Sequence, residues 1–173
     1  MAWWITVYCT QAVSHLTGAQ LLDGIRARDA AAPAGVDYHT LAEDYDVDED
    51  AVGPALTCLR VKSAGKLPLE VAVHYHPDDD MRPVMLHCWK GEARVAEELE
   101  EMRDIREPPK AAEATLARTV EIVGIELGAS QFGTMAVVLA YEIARYLTQK
   151  GDGLFVDDEN EWYVVDGGAL VSP

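Results

Sequence analysis

TVEIVGIELGASQFGTMAVVLAYEIARYLTQKGDGLFVDDENEWYVV, residues 119–165, carries the clearest structural pattern in the chain. Residues 119–127 are rich in β-branched side chains and read as a strand. Ser130 has the short polar side chain of a helix N-cap. Met135, Val138, Leu139, Ile143, Tyr146 and Leu147 then recur at the 3.6-residue period, which predicts a long, well-buried helix to Lys150. Gly151 stands where a helix takes a left-handed C′ residue. Residues 153–156 and 161–165 follow as two strands of a hairpin around DDEN. If the strands flanking the long helix share a sheet, they run parallel, joined by a right-handed crossover.

Working back from this stretch, residues 91–105 form an amphipathic pattern, with Val95, Leu99 and Met102 on the apolar side, and the prolines of EPPK at 107–110 end it. Residues 112–117 add a helical turn. LEVAVHYHP (69–77) and RPVMLHCWK (82–90) alternate, placing Val71, Val73 and Tyr75 on one face of the first and Val84, Leu86 and Cys88 on one face of the second. PDDDM joins them as an antiparallel hairpin, with a weaker strand at 59–63 before it. Residues 37–58 read as short helices, the second capped by Asp48 or Asp50, and AAAPAG at 30–35 reads as a loop. Residues 18–28 read as a helix with Thr17 and Gln20 spaced as a capping box. AWWITVY at 2–8 reads as the first strand. The whole predicts an α/β (α+β) fold, with a mixed, mainly antiparallel sheet, helices packed on it and two βαββ-like halves.

The chain has 173 residues, the size of one domain spanning 1–173, and 49% of them are hydrophobic, enough for a core. Thirty acidic residues face fourteen basic ones, giving a net charge of −16. Such a chain has little with which to displace the counterions of a nucleic acid, and an anionic membrane repels it. A basic protein partner is the favoured class, because opposite charge accelerates encounter. The start, MAWWITVYCTQAV, lacks the basic region of a signal peptide, and no stretch approaches the about 20 apolar residues of a membrane span. Cys9, Cys58 and Cys88 are far apart and include no CxxC pair, as expected of free thiols in a cytoplasmic protein.

The chemistry-bearing motifs are sparse. His74 and His76 lie two apart on a strand, and apolar pairing of the hairpin would set His87 diagonally near them, a face able to hold zinc, copper or nickel. HYHPDD resembles the HxHxDH signature of metallo-hydrolases, with Asp79 in place of its last histidine. A polar strand face is the ordinary reading, so no metal or other cofactor is expected. His87 and Cys88 are adjacent on a strand and point to opposite faces, which excludes a thiolate–imidazole pair through that spacing. GxSxG, GxGxxG and GxxxxGK[ST] are absent. Asp46, Asp48 and Asp50 have the spacing of a calcium loop, but Ala51 replaces its glycine and Thr57 its final glutamate. No catalytic residue is assigned. Of the tryptophans, Trp3 and Trp4 are adjacent, so one of them points outward from a strand.

MAVVLAYEIARYLTQKGDGLFVDDENEWY, 135–163, resembles the C-terminal part of small bacterial immunity-type proteins that accompany secreted or contact-delivered toxins. The shared elements are the apolar helix, the GDG exit, the strand and the acidic turn before tryptophan. The resemblance implies a non-enzymatic inhibitor that binds its cognate toxin in the cytoplasm, and carries over no binding residues. The charge pattern nominates them instead. Asp44, Asp46, Asp48, Glu49 and Asp50, with Asp157, Asp158, Glu159, Glu161 and the anchor Trp162, make the expected partner-binding surface. Two alternatives stay open: a structural or regulatory interaction domain, and a small metal-binding hydrolase using His74 and His76. The edge strands of the terminal hairpin also offer a pairing surface for a homodimer.

Overall fold

β1 (Ala2–Cys9) runs through the middle of the molecule and pairs along its whole length with β5 (Glu121–Gly128), Ala2 opposite Gly128 and Cys9 opposite Glu121. The computed structural model describes residues 2–28, 37–62, 70–78 and 80–173. Around these two strands lie β2 (Arg60–Val61), β3 (Glu70–His74), β4 (Val84–Lys90), β6 (Leu154–Val156), β7 (Trp162–Asp166) and β8 (Ala169–Val171). The eight form one sheet in the order β2-β3-β4-β5-β1-β6-β7-β8, with antiparallel neighbours. β5 and β6 flank β1 and both oppose it, so they are parallel to each other, as their helical connection demands.

Each half of the chain supplies one central strand, helix and a three-strand meander, in line with the two-halved α/β plan. The meanders are laid down in opposite senses. The first enters at the edge with β2 and ends beside β5, whereas the second starts beside β1 and runs out to β8.

Helices cover both faces. α1 (Gly18–Arg26), α2 (Tyr38–Asp44), α3 (Val52–Cys58) and α6 (Met135–Gly151) enclose the larger core with Ile5, Val7, Val71, Val73, Val84, Leu86, Val123 and Ile125. α4 (Glu92–Ile105) and α5 (Glu113–Leu116) close a smaller one over Tyr8, Ile122, Leu154, Val156 and Trp162. The alternation expected of the hairpin holds, since Val71, Val73, Tyr75, Val84, Leu86 and Cys88 all face the larger core. The predicted strand near 59–63 is present as the two residues of β2. The expected loop at 30–35 lies outside the described residues, as does residue 69 at the expected start of β3.

Local capping chemistry sets the first helix. Thr17 Oγ1 accepts from the Gln20 amide at 3.1 Å, and Gln20 Oε1 accepts from the Thr17 amide at 2.8 Å, completing the box. Asp48 accepts from the Asp50 amide at 3.0 Å and opens a single 3₁₀ turn, Glu49–Ala51, ahead of α3.

α6 departs from expectation at both ends. Thr134, not Ser130, is its N-cap, with Oγ1 accepting from the Ala136 amide at 3.2 Å. Ser130 sits in a separate 3₁₀ turn, Ala129–Gln131. Gln131 ties that turn down, accepting from the Gly128 amide at 2.7 Å and donating to the Arg82 carbonyl at 3.0 Å, so the chain makes a further turn before the helix begins. At the other end Gly151 is still helical, and Asp152 takes the left-handed position at φ 47°. Glycine is needed at 151 for proximity instead, because a Cβ there would lie 2.6 Å from Cys9 Sγ. At Gly153 a Cβ would lie 2.0 Å from the Tyr8 carbonyl oxygen. Thr10 Oγ1 donates to the Asp152 carbonyl at 2.6 Å, and the Gln11 amide to that of Gly151 at 2.8 Å. The GDG sequence thus presses the helix exit onto the end of β1. Beyond β7, Gly167 and Gly168, at φ 57° and 86°, turn the chain into β8, a strand the sequence pattern did not predict.

Two alanine substitutions separate close approach from conformational freedom. Gly153→Ala forces β1 and α6 apart and is expected to lower unfolding free energy by at least about 2 kcal/mol. Gly53→Ala, within α3 and with no atom within 4 Å of its would-be Cβ, should raise it by about 0.5–1 kcal/mol. Urea denaturation of both variants checks the contrast.

Candidate partner-binding surface

The two acidic stretches, more than a hundred residues apart in the chain, meet through a stack of tyrosines. Tyr45, between Asp44 and Asp46, stacks on Tyr141 of α6 with ring centroids 4.7 Å apart. The Tyr141 hydroxyl donates to Asp157 Oδ2 at 2.8 Å, and that of Tyr163 does so at 3.4 Å. Burial raises the Tyr45 hydroxyl well above the usual phenol range, and the neighbouring Tyr163 and Asp157 raise it further. Asp44, Asp46, Asp48, Glu49 and Asp50 are exposed on one side of this stack, and Asp158, Glu159 and Glu161 are exposed around the hairpin on the other.

Asp157 does not belong to that exposed set. It is 2% accessible and organises the hairpin from within. Its Oδ1 accepts from the amides of Glu159 and Glu161 at 3.0 and 2.9 Å, and its carbonyl accepts from Arg106 Nη1 at 3.0 Å. A carboxylate so fully engaged has no acceptor left for a partner. Trp162 is likewise turned inward, 7% accessible and stacked on Tyr8 at 6.0 Å in the smaller core. β7 pairs with β6 so that Tyr163 faces α6 and Trp162 faces the other way, beneath α4. Trp3 and Trp4 do point to opposite faces. Trp3 packs beside Tyr141 and the half-exposed Phe132, whereas Trp4 lies beside His87 on the far side of the sheet.

Next to the first acidic stretch lies an apolar groove of about 400 Å³. Ala51, Pro54 and Ala55 form one wall, with Tyr75, Pro77 and the exposed Met81 opposite. Asp48 lies on its rim, Glu49 and Asp50 belong to the same exposed turn, and Asp78 and Asp80 are exposed on the loop that follows Pro77. The groove is a feature that sequence reading missed. Its lining comes from three separated segments, within 47–55, 75–81 and 133–135, which only the fold brings together.

The histidines do not converge. β3 ends at His74, so His76 lies beyond the ladder, where its Nδ1 accepts from the Asp78 amide at 3.1 Å. The register sets His87 opposite Glu70, four residues and about 13 Å along the strand from His74. His87 Nε2 instead meets Glu126 Oε2 at 3.0 Å, and Arg82 reaches the other oxygen of that carboxylate at 2.6 Å. Among the described residues no group of three potential ligands is placed to hold a metal ion, and Asp79, the last position of HYHPDD, lies outside them. Cys9 and Cys88 are buried. Burial, with Glu121 second, pushes the Cys88 thiol up from 9.0 to about 11 and Cys9 higher still. Also among the described residues, no helix is long and apolar enough to cross a membrane.

Asp157→Ala leaves two backbone amides and two tyrosine hydroxyls without their acceptor, and should reduce stability by about 2–3 kcal/mol. Asp158→Asn should change it by less than about 0.5 kcal/mol. Chemical denaturation of the two variants distinguishes an internal carboxylate from a surface one.

Alkaline pH tests the same region. Folding raises Cys88 from 9.0 to about 11, and it raises Tyr163 from 10.0 to about 12, first by burial and then by Asp157. The folded state therefore favours the neutral forms. That contribution is complete below pH 9 and is lost as pH rises through 11 and 12. Urea midpoints should fall across this window, and Tyr163→Phe should flatten the upper part of the fall.

No protein-family profile, characterised protein sequence or solved structure matches this chain.

Proposed function

We propose that the chain is a non-enzymatic binding protein that captures a basic protein partner, and that it acts as an immunity protein, neutralising a cognate bacterial toxin in the cytoplasm. One observation carries this reading: an apolar groove rimmed by exposed carboxylates, on the side where the tyrosine stack gathers the two acidic stretches. An apolar anchor residue flanked by Lys or Arg is the complementary segment. The groove would desolvate the anchor, and the acids would pair with its flanks and steer the encounter. The net charge of −16 and the likeness of residues 135–163 to immunity-type proteins support the same assignment, and free cysteines fit a reducing compartment.

Capture from the native bacterium with tagged protein, washed at low and then high salt, tests it. A single basic partner released by salt is the expected result, and its toxic activity, nuclease activity first, should fall when this protein is added. Reversing Asp48, Glu49 and Asp50 to lysine should slow association about 10–100-fold at low salt and much less at high salt. Recovery of no specific partner at either salt, or an unchanged association rate in the reversed variant, would rule the reading out.

A further inference from the structure

Away from the acidic surface, a cavity of about 550 Å³ opens between α1, the C-terminal half of α6 and the β7–β8 turn. Its lining has the opposite electrical character to the chain as a whole. Among the described residues Arg28, Arg145 and Lys150 line it with one carboxylate, Asp23, and the buried Glu142 behind the two arginines leaves an excess of one positive charge, in a protein of net charge −16.

These cations are held in place. Glu142, wholly buried in α6, takes both guanidinium groups. Arg28 Nε lies 2.8 Å from its Oε2, while Arg145 grips both oxygens, Nε to Oε2 at 2.8 Å and Nη2 to Oε1 at 2.5 Å. Arg145 Nη1 donates to Gln149 Oε1 at 3.2 Å, which leaves the Gln149 amide NH₂ as that side chain's hydrogen-bonding group towards the cavity. Tyr146 forms the apolar wall. It lies so close to α1 that a Cβ at Gly24 would stand 2.2 Å from its ring, and its hydroxyl donates to the Gln20 carbonyl at 3.2 Å. The Lys150 ammonium rests 5.7 Å over the same ring, which keeps it at the cavity rim.

Two fixed guanidinium groups, a lysine ammonium and an amide NH₂ around one open cavity are the donor set of an oxyanion site. A helix could carry Arg145 and Lys150 near its C-terminus for its dipole alone. The dipole does not account for Arg28, which lies two residues beyond α1 and completes the Glu142 pair at the cavity wall, or for the glycine that admits Tyr146. We propose that this cavity binds a small polyvalent oxyanion, a phosphate- or carboxylate-bearing molecule, independently of the acidic surface.

Calorimetric titration of the full chain with pyrophosphate and, separately, with citrate at low ionic strength tests the site. Arg28, Arg145 and Glu142 are buried together and unsuitable for substitution, so the test falls on the two exposed members. Gln149→Glu retains an acceptor for Arg145 and adds a negative charge, and Lys150→Gln removes a positive one. Each should weaken binding at least about tenfold. Lys90→Gln, the same charge change on β4 away from the cavity, should leave it within about twofold. Saturable binding of pyrophosphate alone identifies a phosphate ligand, of citrate alone a carboxylate, and either supports the site. Saturable binding of neither, or equal weakening by Lys90→Gln and Lys150→Gln, overturns it.

Discussion

Helix α6 lies against β1 and β5 with every residue except Gln149 and Lys150 withdrawn from solvent, and its exit is pressed onto the end of β1 by Gly151 and Gly153. That seat determines what surrounds it. A helix enclosed by α1, α2 and the sheet cannot keep its charges in water, so Glu142 and Arg145 are buried and must be satisfied where they lie. The pair is completed by Arg28, delivered from just beyond the end of α1. A buried ion pair gains little stability over apolar packing, because desolvation offsets the Coulomb attraction. Its value here lies in fixing guanidinium groups beside a cavity.

The same helix joins the acidic stretches. Tyr141 faces Tyr45 on one side and the hairpin carboxylate Asp157 on the other, so two segments distant in sequence share one side of the molecule. Gathering exposed like charges raises the self-repulsion of the folded state, a penalty that salt screens and a cationic partner would reverse. The acids that organise this surface are not those that present it. Asp157 is buried to shape the turn, and the turn then displays Asp158, Glu159 and Glu161 outward.

Much of the fold was legible because its causes are local. The Thr17–Gln20 box involves residues three apart, and the 3.6-residue period of α6 and the alternation in β3 and β4 record which face is apolar. Glu142 and Arg145 stand three apart inside an apolar run, but their pairing came from the structure, and nothing local pointed to Arg28. Trp162 and Asp157 looked exposed because they sit in an acidic turn. Their orientation depends on how β7 pairs with β6, which no neighbouring residue encodes.

What the amino-acid sequence by itself determined is most of the elements, though not β8, the apolar face of each and the negative charge of the whole, since periodicity, capping and composition act within a few residues. Only the tertiary structure decided the strand register that parts His87 from His74, the close approach that requires Gly151 and Gly153, the tyrosine stack that unites the acids, and the cavity beside Arg28 and Arg145. These are contacts between separate elements, set by packing the finished elements against one another.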